Sequence, residues 1–528
     1  LLVYQLKNLK VVKKIPLQTD VLIATHNSKN RFYLICNQLI EIDSQLQIKT
    51  SPLPEKIAKK FPASIIQDSP EGMLIVSKYA PYYYSYANGH FEQKQIVGKF
   101  NFIQNLSYDQ TTNWICTTQG VIRYQNKTID TKNTYFKSFN ISYVFKDREG
   151  NYWFSTISDG LLLVPDISTH FIPFEPKPNV ISVSDNNLFV GTTTDFVYKI
   201  KLPNFQKETF YNGTTNHEVY FLTTDKTLKK CFFTSNAFQS YYYNGKKDVN
   251  AILAVKDIQK IDAAYYAFAA SGVCGFIKVN DVKSKWDEFL NQNQVGSNID
   301  KKIRPILTGV QGKSATYNPF NQTVYFASSS GLIAFTRHAK KELLWKGHTL
   351  YLSKVKNVNC EVYGFSTNEK LFRIDRNNTI SIYDTSKYTN NEPLQKVKII
   401  GNSLFLFTPY SIYEHNLNTK KTKKIIALNP EFEISDLDIY QDQLILANSR
   451  GFLLINRNHP QNTIAPKFHI NRIYVNDKKI NPNRINSLAY NQNNISINFS
   501  LLTFIPNQKN RLFYKINDEK WQSFDDDS

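Results

Sequence analysis

Methionine is nearly missing from this chain, one residue in 528, and cysteine is scarce and scattered. Cys36, Cys116, Cys231, Cys274 and Cys360 are odd in number and far apart, so they form no C-x-x-C pair and no zinc-type spacing. They fall mostly inside strand patterns and read as small buried hydrophobes. Spacing alone leaves open a bridge between neighbouring sheets in an oxidising compartment. There is no H-E-x-x-H and no cluster of histidines, so no metal site is expected. The nucleophile elbow G-x-S-x-G, the phosphate-cradling G-x-x-x-x-G-K-S/T and any isolated acidic pair are missing too. No catalytic residue and no cofactor are therefore assigned. No run of about 18 apolar residues occurs, which excludes a membrane-crossing helix from this stretch. No signal peptide is visible; a start on Leu1 and an end at Asp-Asp-Asp-Ser read as a piece of a longer protein.

Aromatic side chains are abundant. Tyrosine (32) and phenylalanine (36) dominate a composition suited to strands packed face to face rather than to helices. At 528 residues the chain is long enough for two or three domains with ample core. The stretch SYVFKDREGNYWFSTISDGLLLVP, Ser142 to Pro165, shows a complete unit. Ser142 to Lys146 alternates like a strand, Asp147 to Asn151 supplies a turn with Gly150 free to take positive φ, and Tyr152 to Thr156 resumes an aromatic, β-branched run. A second turn at Ser158-Asp159-Gly160 feeds Leu161 to Val164.

The unit repeats. Marking the middle of its second strand gives Leu34, Ile75, Ile115, Phe154, Phe189, Phe232, Ala267, Tyr325, Tyr363, Phe405 and Ile445, at spacings of 41, 40, 39, 35, 43, 35, 58, 38, 42 and 40 residues. A period near 40 residues with about four strands per unit predicts β-propeller blades, in which radial stacking buries both faces of each small sheet. The 58-residue step marks an insertion, within which Val282, Trp286 and Leu290 have helix-like spacing ahead of a polar stretch ending at Lys302.

The formal charge of +20 raises the question of a polyanionic partner. Lys226, Lys229 and Lys230, or Lys420, Lys421, Lys423 and Lys424, sit at turns and strand edges and read as a solvated basic surface that discourages edge pairing. Without a recognition helix, zinc finger or aromatic RNA platform, no nucleic-acid contact is expected. Asp147, Asp159 and Asp185 stand where turns need side-chain acceptors. Tyr82-Tyr83-Tyr84 with Tyr86, and Tyr241-Tyr242-Tyr243, are dense enough to offer stacking surfaces. Alternation along a strand nevertheless sends half of each run into the core. Ligand-contacting residues stay unassigned.

Asp147, Gly150, Asn151, Trp153, Phe154, Thr156, Gly160 and Leu161 spell a motif that resembles the two-component regulator propeller repeat, echoed by Asp109, Asn113, Trp114, Ile115, Thr117 and Gly120. From Phe468 onward the chain resembles the triple-tyrosine domain that follows such propellers. The matching residues are Ile473, Val475, Asn476 and Asp477, then Gln492-Asn493-Asn494 before Ile495 to Phe499, and Tyr514-Lys515-Ile516 with Trp521. The resemblance implies an all-β fold of tandem β-propellers. Residues 1–171 would hold the last four blades of one, residues 172–465 a complete seven-bladed second, and residues 466–528 the start of an Ig-like β-sandwich, the triple-tyrosine domain. The proline-bearing connector from His170 to Asn179 marks the first boundary.

The same resemblance implies the periplasmic, ligand-sensing portion of an inner-membrane sensor histidine kinase of the Bacteroidetes type. Its ligand would be a small molecule or oligosaccharide, its state a homodimer, and its transmembrane and kinase modules would lie further along the same chain. A DNA-binding regulator as output is the variant within this architecture. A secreted carbohydrate-binding or lyase-like propeller enzyme is the alternative outside it.

Overall fold

The computed structural model describes residues 2–5, 9–16, 21, 23–26, 31–55, 64–69, 72–77, 82–87, 89–95, 102–108, 112–125, 128–129, 134–165, 167, 169–293, 295, 302–389, 391–428, 433–458, 467–481, 488–504, 512–515 and 522–524. The protein is built from small antiparallel sheets in a propeller-like arrangement, and all eleven marker residues fall in strands flanked by a paired strand on each side. Asp109, Ile516 and Trp521 lie outside the described residues.

The chain divides into two compact units, one holding residues 1–167 and 462–506, the other residues 168–461 and 507–528. In the first unit, four-stranded sheets cover Ile23–Pro52, Ser64–Gln95 and Ile103–Ile129, and a three-stranded sheet covers Ile141–Val164. Apolar faces join the first sheet to the second and the third to the fourth: Tyr33, Ile35 and Leu39 meet Ile75, Tyr84 and Tyr86, and Trp114, Cys116 and Val121 meet Val144, Tyr152 and Phe154. The same unit holds a three-stranded sheet in which Lys467–Val475 pairs with both Lys478–Ile480 and Ile495–Leu502.

The repeat motif is explained by its turn. Asp147 accepts the backbone N–H of Glu149 and of Asn151 on one carboxylate oxygen, each at 2.9 Å. Its other oxygen accepts Asn151 Nδ2 and Trp153 Nε1, also at 2.9 Å. One carboxylate thus fixes the Asp, Gly, Asn and Trp positions together, with Gly150 at φ 83°. At the second turn of the preceding sheet, Gly120 has φ +90°, and a Cβ there would stand 2.2 Å from the Tyr135 carbonyl oxygen.

In the second unit the sheets follow one another and close on themselves. Pro178–Asn212 and Lys396–Ala427 each form a four-stranded sheet, as do Phe221–Ala251 and Leu352–Ile382. Between them, strands from Val255 to Thr349 share one seven-stranded sheet. Inside it, Tyr265–Lys278 doubles back at Gly272 (φ +89°), so that Val279 N–H reaches the Ala264 carbonyl at 2.8 Å. The strand Ile303–Asn318 pairs with the returning arm of this hairpin in its first half and with Thr323–Ser328 in its second.

The connector read as a boundary is partly strand. His170–Pro173 pairs with Gly451–Asn456 and completes the last sheet, Ile434–Asn456. That sheet then packs on the first through Phe174, Ile181, Leu188, Ile445 and Phe452. The insertion sits between Val273–Ile277 and Ile303. Its helix, Asp287–Asn293, begins after Trp286; Trp286 and Leu290 are buried against Phe276, whereas Val282 lies outside the helix and is exposed.

Candidate functional site

The innermost strand of each sheet in the second unit has a neighbour in the next sheet too far away for a backbone ladder. Its outward N–H groups therefore need other acceptors. Side chains supply them. Asp436 accepts Ile181 N–H at 3.0 Å and Asp438 accepts Val183 N–H at 2.7 Å, stitching the last sheet to the first. Ser314 Oγ accepts Val355 N–H at 3.1 Å, and Thr316 Oγ1 accepts Asn357 N–H at 2.9 Å. Asp257 accepts Ala315 N–H at 3.3 Å and the Ser314 hydroxyl.

Onto this framework the sequence places charge at alternate positions of adjacent strands: Lys354 and Lys356, Lys396 and Lys398, Asp436 and Asp438. Lys354 pairs with Asp257 at 3.0 Å and Lys398 with Asp436 at 2.7 Å. Lys356 donates to Gln259 Oε1 at 2.7 Å, and Lys396 to the Ser435 carbonyl at 2.6 Å. Four ammonium groups and three carboxylates from separate sheets therefore meet at the centre of the ring. Burial pushes Lys356 below the ordinary lysine range, with Asp257 opposing and Lys354 and Lys398 adding to the effect. Burial lowers Lys396 in the same way. Yet Lys396 remains accessible to water. Both hold for a side chain in a narrow wet channel enclosed by protein.

The two carboxylates differ. Burial alone would raise Asp436, but Lys398, Lys396 and the Ile181 N–H outweigh it and hold the group below the usual carboxylate range. Asp438 is dominated by burial and lies above that range, despite Lys398 and its backbone donors. Two residues apart on one strand, the aspartates thus meet opposed environments.

None of these residues was singled out by the sequence reading. The signal was available in the patterns Lys-Val-Lys, at 354–356 and again at 396–398, and Asp-Leu-Asp at 436–438, each in the first strand of a repeat. The tyrosine runs, in contrast, go mainly to packing. Tyr84 and Tyr86 are buried; Tyr241 lies against Phe233 and Tyr211, Tyr243 against Phe189, and Tyr242 beneath the Lys230 ammonium. The side chains of Tyr82 and Tyr83 lie outside the described residues.

The basic surface also needs correcting at one position. Lys230 is buried, 3.0 Å from Asp248, which Lys302 also reaches at 2.8 Å. Lys226 and Lys229 pair with Asp185 at the surface, as turn residues do. All five cysteines are free thiols. Among the described residues no group of three or more His, Cys, Asp or Glu has metal-holding geometry, and no helix is long and apolar enough to cross a membrane.

The first unit carries a different feature. An open depression of ≈ 400 Å³ is lined by Tyr143, Phe145, Asp147, Trp153, Ser155, Leu161 and Phe504. Phe504 is fixed there: its N–H donates to Glu149 Oε2 at 2.7 Å, its ring meets Trp153 edge-on at 5.3 Å, and Arg148 donates to the Leu502 carbonyl at 3.3 Å.

No protein-family model and no curated protein matches the chain. Among solved structures, it is similar to the extracellular domain assigned to the hybrid two component system BT3049 of B. thetaiotaomicron, at 14% identity and TM-score 0.53, covering 99% of this chain and 82% of that one. Two structures of the extracellular domain of BT4673 from the same organism, described in one as a one component and in the other as a hybrid two component system, align at 15% identity with TM-scores of 0.41 and 0.43, covering 99% of this chain and 78% of theirs. At such identities the likeness to BT3049 is one of fold.

Proposed function

We propose that residues 1–528 form the extracytoplasmic sensing region of a two-component receptor. The observation that carries this reading is the order of parts. Propeller-like stacks of sheets are followed by the sheet Lys467–Leu502, in a chain 99% of which aligns with 82% of an extracellular sensor domain of similar fold.

On this reading the second unit is a complete seven-bladed propeller, obtained by dividing its seven-stranded sheet between Gln311 and Gly312, where the strand Ile303–Asn318 changes partners. The first unit supplies the last four blades of another. Its open face supports this. Trp114 and Trp153 are equivalent positions of successive repeats; Trp114 is fully buried by the following sheet, whereas the Trp153 ring meets Phe504 edge-on, on a face still carrying exposed Tyr143, Phe145 and Leu161. A further sheet of the same repeat fits there. Residues 466–528 begin a triple-tyrosine domain that passes a change in the propellers to a transmembrane helix and a histidine kinase. A small molecule or oligosaccharide is the ligand and the receptor is a homodimer. The ligand acts by binding one of two receptor states more tightly than the other.

Reading the coding sequence on either side of residues 1–528 tests the proposal. A frame that continues through a completed sandwich into a membrane helix and a kinase module supports it. A frame that closes without membrane segment or output domain overturns it.

A further inference from the structure

We infer that the centre of the second unit is a binding site for a small multivalent oxyanion, held between Lys356 and Lys396 with Lys354 and Lys398 beside them. The inference goes beyond the sensor reading and stands on the channel alone.

The argument is one of hydrogen-bond capacity. Each carboxylate at the centre is already engaged by the fold. Asp257 takes the Ala315 N–H, the Ser314 hydroxyl and Lys354; Asp436 takes the Ile181 N–H and Lys398; Asp438 takes the Val183 and Ile439 N–H groups. Lys356 and Lys396 are bonded to neutral oxygens, Gln259 Oε1 and the Ser435 carbonyl. An ammonium carries three donors, so each of these lysines has donors left over for a ligand. Four ammonium groups against three carboxylates leave the site positive, and protein walls around a narrow wet channel concentrate that field. Lys354 and Lys398 lie within electrostatic reach of both Lys356 and Lys396, and Lys396 and Lys398 both act on Asp436, which groups the four at the centre of the unit. A single monovalent ion matches one ammonium; a compact anion with two or more charged oxygens answers both and restores neutrality in a place where an unbalanced charge is costly. Exposed lysines such as Lys341 on an outer strand have no such setting.

Citrate is the probe, titrated into the full chain at constant ionic strength with sodium chloride as the reference. Multivalent anions also stabilise proteins by exclusion from their surface, so the reading is the difference between variants. Wild type and Lys341→Met should show a saturating rise in Tm, by about 3–5 °C at a hundredfold excess over Kd. The double variant Lys356→Met/Lys396→Met should show only the small, non-saturating rise. Equal responses in wild type and double variant overturn the inference. Should the double variant not fold, calorimetry of wild type decides: saturable heat that weakens from low to high salt supports the site, and absence of saturable heat overturns it. Neither result bears on the sensor reading, which the neighbouring coding sequence tests.

Discussion

The carboxylate of Asp438 accepts the backbone N–H of Val183 at 2.7 Å, joining residues 255 apart in the chain at the seam where the ring of the second unit closes. Asp436 makes the parallel bond to Ile181, and the N-terminal strand His170–Pro173 completes the sheet that carries both aspartates. Closure thus rests on a strand pairing at the rim and two aspartate side-chain acceptors at the centre.

Removing one of those acceptors should be expensive. Asp436→Ala leaves the Ile181 N–H without its acceptor and Lys398 without its carboxylate, and is expected to cost about 3–5 kcal/mol. Urea unfolding of wild type and variant should show a lower midpoint. An unchanged midpoint would mean the seam contributes nothing.

The triad Lys230, Asp248 and Lys302 separates a buried partner from a wet one. Lys230→Ala removes a buried ammonium and leaves Asp248, whose side chain is 9% exposed, with Lys302 as its remaining cation, and should cost about 3–5 kcal/mol. Lys302→Ala, at a side chain 38% exposed, should cost no more than about 1 kcal/mol. Comparable losses for the two in denaturant titrations would contradict the assignment.

His415 makes a pH-dependent contribution. It is buried, with Nε2 2.8 Å from the Tyr383 hydroxyl, Nδ1 2.7 Å from Thr422 Oγ1, and the Tyr388 ring stacked at 4.2 Å. Burial first, then Lys420 and Lys387, push its pKa down to about 4. The unfolded chain binds the proton near pH 6.5, so the unfolded state holds more protons between these values. Stability from this group is full above about pH 6.5 and is lost as pH falls toward 4, by about 3 kcal/mol in all. His415→Gln should flatten that part of the stability profile, and a ring titrating near 6.5 by NMR would refute it.

The two equivalent tryptophans should behave differently in solution. Trp114→Ala removes a side chain with no exposure and is expected to cost about 3–5 kcal/mol. Trp153→Ala opens a depression already present and should cost less than half as much. With the other tryptophans replaced by phenylalanine, acrylamide should quench Trp153 more strongly than Trp114. Equal quenching would show that something covers the outer face.

Much of this protein was legible residue by residue. The strand from Tyr152 to Thr156, the Asp147 turn and all eleven repeat markers follow from alternation, turn chemistry and period, because each depends on contacts within about 40 residues of sequence. Phe232 and Tyr363 likewise lie in strands paired on both sides. The sequence could not place Lys230 inside, since its burial depends on Asp248, Val279 and Lys302 arriving from elsewhere. Nor could it assemble the channel. Lys356 reaches Gln259 across 97 residues, and Asp438 reaches Val183 across 255, only because successive sheets turn through a ring and close. Periodicity is a local property and sets what each sheet is; which charges face one another is a property of closure, and that was decided by the tertiary structure.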